Sequence, residues 1–282
     1  MNRKMGDEKM PHSLISEIES KYIRSIVARE KRVDGRGLRE VRPITIETGV
    51  VEKASGSARV TIGNTKVIVG VSAEIGTPYP DTPNSGVVTV AAEFIPMASP
   101  YFESGPPSEE AVELARVVDR GIRESKMVDV DKLCIIPNEK VWILFVDIYI
   151  IDHGGNLFDA SSLAGVCALL TTMLPKTEVE NGKVKLLSEK MPLPVTNIPV
   201  SLTLAKIGDQ LCVDPIEEEE NVMDCRITIV YDANGNLVAV QKGERGALTQ
   251  QDIYNAIDIA RDITKELREK YILPILKRQE VS

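Results

Sequence analysis

Arg116, Arg120 and Arg123 stand at i, i+4 and i+7 within "ARVVDRGIRES", residues 115–125. On a helix they share one face. A guanidinium binds phosphate oxygens through parallel N–H donors, so this spacing fits a clamp on a phosphate-bearing anion. Arg116 and Arg120 are like charges one turn apart, which is unfavourable unless negative charge lies over them. Local pairing is the competing reading. Glu113 with Arg116 at i+3, and Asp119 with Arg123 at i+4, would leave an ordinary solvated face. Leu114, Ala115, Val118 and Ile122 occupy the opposite face, the pattern of a helix docked on a core.

The chain around this helix is acidic. Its 282 residues carry 42 Asp and Glu against 34 Lys and Arg, for a formal charge of −8. That balance argues against a general nucleic-acid coater but permits a local basic patch. Only 4% of residues are aromatic, so nucleic acid would be held through backbone phosphates more than through stacked bases. Cys134, Cys167, Cys212 and Cys225 stand far apart, and His12 and His153 are isolated, so neither a metal site nor a disulfide framework is indicated. A reducing, cytoplasmic location fits. The start "MNRKMGDEKMPHS" lacks the apolar stretch of a signal peptide. "VWILFVDIYII", residues 141–151, is interrupted by Asp147 and too short to span a bilayer; it reads as a buried strand.

The elements that must hold the arginine helix follow from pattern. Residues 13–30 predict an amphipathic helix with Ser13 as N-cap and Leu14, Ile18, Tyr22 and Ile26 as its apolar stripe. A glycine-broken turn segment, "RVDGRGLREVRP", comes next. Strands follow over "ITIETGVV", "GSARVTIGNTKVIVGVSAEIG" and "GVVTVAAEFIPM", with a hairpin at Gly63-Asn64. After the arginine helix and the 141–151 strand, "DASSLAGVCALLTTMLP" predicts a small-faced, closely packed helix. "LLSEKMPLPVTNIPVS" predicts a proline hinge. Beyond it "SLTLAKIGDQLCVDPIEEE" echoes the earlier hairpin, and "CRITIVYDANGNLVAVQKG" turns at Asn234-Gly235. The run Glu217–Glu220 reads as a solvated loop. A long helix over 249–272 closes the chain, with Thr249 as N-cap, Asp252 at N3, and Ile253, Ile257, Ala260, Ile263 and Leu267 facing the core.

"VDGRGLREVRPI", "VTIGNTKVIVGVSAEIG", the arginine helix after a Pro-rich loop, and the Asp-rich second half resemble the RNase PH family over roughly residues 31–275. "VDRGIRES" and "VTNIPVSLT", with the N-terminal helix, make the chain most similar to the non-catalytic ring subunits of the archaeal exosome. The resemblance implies an α+β fold of duplicated mixed sheet-and-helix layers, of the ribosomal protein S5 domain 2-like type. It divides the chain into an N-terminal helical extension (1–30), a first half (31–190) and a second half (191–282).

Catalytic members degrade RNA from the 3′ end, with inorganic phosphate attacking the terminal phosphodiester. That chemistry needs cations around two phosphates and an acidic carboxylate. The family holds phosphate at a Gly-Thr-Arg or Gly-Ser-Arg turn before a helix. The resemblance places that turn at "DHGGNLFDASS", with Asp152 and Gly154 matching and Gly155 and Asn156 at the hydroxyl and arginine positions. In "MDCRITI" it places Asp224 at an acidic position and Arg226 where the catalytic aspartate should be, while Asp214 matches an earlier family aspartate. Arginine neither deprotonates nor accepts hydrogen bonds, so it cannot replace that aspartate. The implied role is an inactive paralogue without cofactor or metal. It would alternate with an active RNase PH-like subunit as three heterodimers in a hexameric ring, beneath RNA-binding cap subunits. Arg116, Arg120 and Arg123 would then line a cleft for single-stranded RNA. Two further readings are an active exoribonuclease with a divergent site and an assembly scaffold without RNA contacts. A small-molecule kinase-like fold lacks its Gly-rich phosphate loop here.

Overall fold

The computed structural model describes residues 17–180 and 182–279. Helix α1 (Glu17–Val27) precedes a sheet built from β1 (Ile44–Thr48), β2 (Gly56–Ile62), β3 (Thr65–Gly76) and β4 (Val87–Phe94). Helix α2 (Glu109–Glu124), β5 (Cys134–Ile136), β6 (Lys140–Asp152) and helix α3 (Leu157–Leu170) follow. The strand order is β1-β2-β3-β6-β4, with β5 paired to β6. β4 runs parallel to β6, and the other pairs are antiparallel. A parallel pair needs a crossover, and α2 is that crossover. The arginine helix is therefore placed by the sheet.

Strands β7 (Met173–Glu180) and β8 (Lys183–Pro192) form a separate two-stranded arm. The second sheet has the order β10-β9-β11-β12, all antiparallel. Its strands are β9 (Val200–Ile207), β10 (Gln210–Val213), β11 (Cys225–Tyr231) and β12 (Leu237–Gly243), with the short helix α4 (Glu217–Glu220) between β10 and β11. Helix α5 (Gln250–Leu267) passes through a wider π-helical turn at Arg268–Ile272 into α6 (Leu273–Gln279).

Helices α2 and α3 lie between the two sheets: α2 touches β4 and β12, and α3 touches β2, β3 and β9. Helix α5 packs on β9 and β11. Ile227, Ile229 and Tyr231 meet Ala256, Ile259 and Ala260 of α5 in one apolar cluster, as the alternation of β11 requires. α3 has no polar face; from Asp159 to Leu170 every residue is buried. A helix buried all round must be enclosed on both sides.

The hairpins at Gly63-Asn64 and Asn234-Gly235, the docked face of α2 and the Thr249/Asp252 capping box are as the pattern predicts. Several elements differ. Ser13 and Leu14 lie outside the described residues. On α1, Ile23 and Val27 are buried against Ile207, Cys212 and Val222, whereas the expected stripe residues Ile18 and Tyr22 are 80% and 58% exposed. The helix touches the second sheet along a narrow edge, so part of its apolar surface stays outside. The 159–175 helix stops at Leu170, and its tail becomes the start of β7. Residues 186–192 of the expected hinge belong to strand β8, because β7 supplies a partner. On α5 the buried positions are Ala256, Ile259, Ala260 and Thr264, and Ile253 is exposed.

The largest correction concerns Glu217–Glu220. These residues form α4, and the Glu219 side chain is fully buried against Arg32. Arg32 Nε donates to Glu219 Oε1 at 2.8 Å, and its Nη atoms donate to the carbonyls of Val213 (2.7 Å) and Asp214 (2.9 Å). Asp214 is the companion site. Arg42 grips it in a bidentate pair, Nε to Oδ2 at 2.9 Å and Nη2 to Oδ1 at 2.7 Å, and Arg36 Nη1 adds a contact at 3.0 Å. Arg42 also donates to the carbonyls of Gly154 (2.6 Å) and Gly155 (3.1 Å). Arginines just before β1 are thereby locked to the end of β10 and the start of α3. Buried charges persist only when paired in this way.

Burial opposes ionisation of Asp214, but the hydrogen bonds and charge of Arg42, aided by Asn156, outweigh it and hold the carboxyl below its ordinary 3.8. A depressed folded pKa contributes stability that is present above the unfolded value and is lost as pH falls through the folded one. Asp214→Asn leaves the buried Arg42 guanidinium without a carboxylate, while Arg36 keeps Asp34 at 2.6 Å, and is expected to cost about 3–5 kcal/mol at neutral pH. Denaturant titration should register that loss. Titrations repeated at lower pH should show the gap between wild type and variant closing as Asp214 protonates.

Candidate functional site

Helix α2 begins at the N-cap Ser108, whose hydroxyl accepts from Ala111 N at 3.2 Å. Ala111, Leu114, Ala115, Val118 and Ile122 are buried, which turns Arg116, Arg120 and Arg123 to the exposed side. The three arginines differ in their engagements. Arg123 Nε lies 3.5 Å from Asp119 Oδ2, in the expected i+4 pair, but the arginine side chain is 67% exposed and the pair is weak. Arg120 Nη1 donates to Gln241 Oε1 of β12 at 2.6 Å. Arg116 makes no hydrogen bond or ion pair among the described residues, because its expected partner Glu113 is taken elsewhere.

That partner is Arg226. Its Nη2 lies 2.6 Å from Glu113 Oε1 and its Nη1 lies 3.2 Å from Glu244 Oε1. Its Cζ stands 4.4 Å above the Phe158 ring at the start of α3. Arg226 is 7% exposed. Gly243 is its cross-strand neighbour on β12, and a Cβ there would come within 2.6 Å of the guanidinium carbon. A side chain at this position would displace the guanidinium from where it lies. Asp224, two residues earlier, has other partners. Arg24 of α1 holds it at 3.0 Å and Gly208 N donates to it at 2.8 Å. Burial raises the Asp224 carboxyl, but Arg24 and Gly208 more than offset that and lower it. Asp224 and Arg226 are thus not brought together.

The turn before α3 is closed from within. Asp152 forms a surface pair with Lys66 at 2.9 Å. His153 is held below its usual range, first by burial and then by the charge of Arg42. Gly155 has φ +85°, and a Cβ there would come within 2.5 Å of the Glu217 backbone, so the turn lies directly against α4. Asn156, with φ +52°, caps α3 and is fully buried. Its amide donates to Asp159 Oδ2 at 2.8 Å and to Asp214 Oδ1 at 2.7 Å, which uses both N–H groups. Its own backbone N–H goes to Glu220 Oε1 at 2.8 Å. A helix N-terminus attracts anions, and here the protein's own carboxyl occupies the first turn of α3. Burial pushes Glu220 up to about 7 against the pull of the Asn156 N–H, Arg226 and Arg42.

The structure therefore joins Asp214 with Asn156 in one buried network, and Arg226 with α2 in another. Glu220 and Phe158 lie between the two. Pattern reasoning missed Arg32, Arg36, Arg42, Glu219 and Glu220. The one available signal was the density of arginines in a turn segment that has no apolar face.

Comparison with known proteins places this architecture. The 3′ exoribonuclease (RNase PH) family matches over residues 40–175 with its domain 1 and over 197–263 with its domain 2. The exosome complex component Rrp42 of Methanothermobacter thermautotrophicus is 52% identical over 257 residues, covering 91% of this chain and 95% of its own length. That of Pyrococcus furiosus is 48% identical, covering 94% of this chain and 96% of its own. A solved chain of the Archaeoglobus fulgidus exosome with RNA bound to the active site superposes with a TM-score of 0.84 at 47% identity, covering 90% of this chain and 98% of that one. With both family domains present in order on the two sheets, and relatives matching nearly end to end, the chain belongs to the RNase PH family of 3′ exoribonucleases.

Proposed function

We propose that this chain is an exosome ring subunit that performs no phosphorolysis itself and binds RNA for an active RNase PH-like neighbour. The ring would hold three heterodimers of the two paralogues, with RNA-binding cap subunits above it. The observation that carries this reading is the contrast between the two ends of Arg226's helix contact. Inside, the position aligned with the catalytic carboxylate holds a guanidinium bound by two glutamates. Outside, Arg116 is exposed and makes no hydrogen bond or salt bridge among the described residues.

Phosphorolysis needs a group that can pass a proton to the leaving oxygen, and cationic hydrogen-bond donors for two phosphates. Arg226 cannot pass that proton. Asp214 is committed to Arg42 and Arg36, and Asn156 has no N–H left for phosphate. Glu220 sits on the helix N-terminus where an anion would lie. On α2 the chemistry is the opposite, since an unpaired guanidinium on a rigid helix can clamp a phosphate. The names of the close relatives and the RNA held by the Archaeoglobus fulgidus exosome support RNA as that anion. The hydrogen bond from Arg120 to Gln241 favours a bracing role for that residue beside an RNA contact.

The purified chain, incubated with RNA and inorganic phosphate, is expected to release no nucleoside diphosphate. Arg226→Asp alone should not create that activity, because Asn156 and Glu220 remain in place. Phosphate-dependent release by the lone wild-type chain would refute the inactive reading. Within the assembled ring, Arg116→Glu and Arg120→Glu should each weaken RNA binding and lower the slope of log affinity against log salt by about one unit. Arg123→Glu should do less. Unchanged affinity and unchanged RNA degradation by the ring for the first two variants would leave α2 as a structural face only.

A further inference from the structure

Arg226 is more than a lost carboxylate. Glu113, Arg116 and Arg120 stand at i, i+3 and i+7, so they lie along one stripe of α2. Two carboxylates stand three residues from Arg116, Glu113 and Asp119, and Asp119 pairs with Arg123, which leaves Glu113 as the second local partner for Arg116. Glu113 turns instead to Arg226, 2.6 Å away on β11. The Arg226 site is built to hold this guanidinium: Phe158 lies under it, Glu244 holds its other Nη, and Gly243 leaves the room.

We infer that Arg226 is a positioning residue that sequesters Glu113 from Arg116 and so keeps Arg116 unpaired and open towards a phosphate. This rests on the proposed RNA-binding role of α2 and adds a cause for it. A buried guanidinium is the stronger partner for Glu113. It is already fixed by packing, so pairing costs little side-chain entropy, and solvent screens it less than an exposed arginine. Without Arg226, the Glu113 carboxylate would swing one turn along the helix onto Arg116 and compete with RNA there. The same contact also fixes the rotation of α2 about its axis, which sets where Arg116 and Arg120 point.

The test compares variants in the assembled ring by RNA affinity across a salt series. Glu113→Asp is one methylene too short to reach Arg226 but can still pair with Arg116. Glu113→Gln removes the competing charge. Sequestration predicts that Glu113→Asp binds RNA several-fold more weakly than Glu113→Gln, with a salt slope lower by about one unit. Arg226→Gln should weaken binding as Glu113→Asp does, and the double variant Arg226→Gln/Glu113→Gln should recover most of that loss. A purely structural tie predicts otherwise, since both Glu113 variants break it alike and the double variant stays weak; either result overturns the inference. The Glu113 pair decides the matter even if Arg226→Gln does not fold, because Glu113 is partly exposed. Arg116→Glu serves as the control. If it leaves RNA affinity intact, the RNA-binding role of α2 fails and this inference with it; if it weakens binding while the Glu113 variants match each other, only the inference fails.

Discussion

The bidentate pair between Arg42 and Asp214 fixes how the two sheets meet. Asp214 ends β10 in a left-handed conformation (φ +49°), and its carboxylate accepts from Arg42, Arg36 and Asn156. Arg42 in turn holds the two glycine carbonyls that lead into α3. Removing Asp214 would leave the buried Arg42 charge without compensation, a penalty larger than that of losing an ordinary contact. The position of α3 between the sheets, and of α2 beside it, depends on this joint.

The same joint explains why the turn before α3 differs in character from an anion site. A phosphate-binding turn must keep N–H donors pointing outward. Here Asn156 points inward to balance Asp214 and Asp159, and Glu220 covers the helix end. Glu219 and Glu220 perform opposite tasks one residue apart. The first neutralises Arg32, and the second remains difficult to ionise despite the arginines nearby.

Much of the fold was legible in the sequence because its signals are local. Gly63, Gly208 and Gly235 have positive φ, and tight turns between alternating strands demand such residues. The apolar stripe of α2 and the cap of α5 are set within a few residues of chain. The buried charges were not legible for the opposite reason. Arg32 meets Glu219 across 187 residues, and Arg42 meets Asp214 across 172. A run of glutamates reads as solvated until an arginine from another segment is brought against it. Glu113 shows the limit most clearly. Its local partner Arg116 is correct by spacing, but a buried guanidinium on another strand is the better one. Strand β8 was hidden because its pairing with β7 passes through a bulge that breaks simple alternation.

Helix α3 carries a consequence for how the chain is made. Its buried faces are divided between β2 and β3, which precede it, and β9, which follows it after the β7–β8 arm. A nascent chain that has completed the first sheet holds an apolar helix with one side open. That side stays uncovered until β9 has left the ribosome and Asp214 is available to Arg42. Over that interval the chain is exposed to aggregation, and its two halves mature as one cooperative unit.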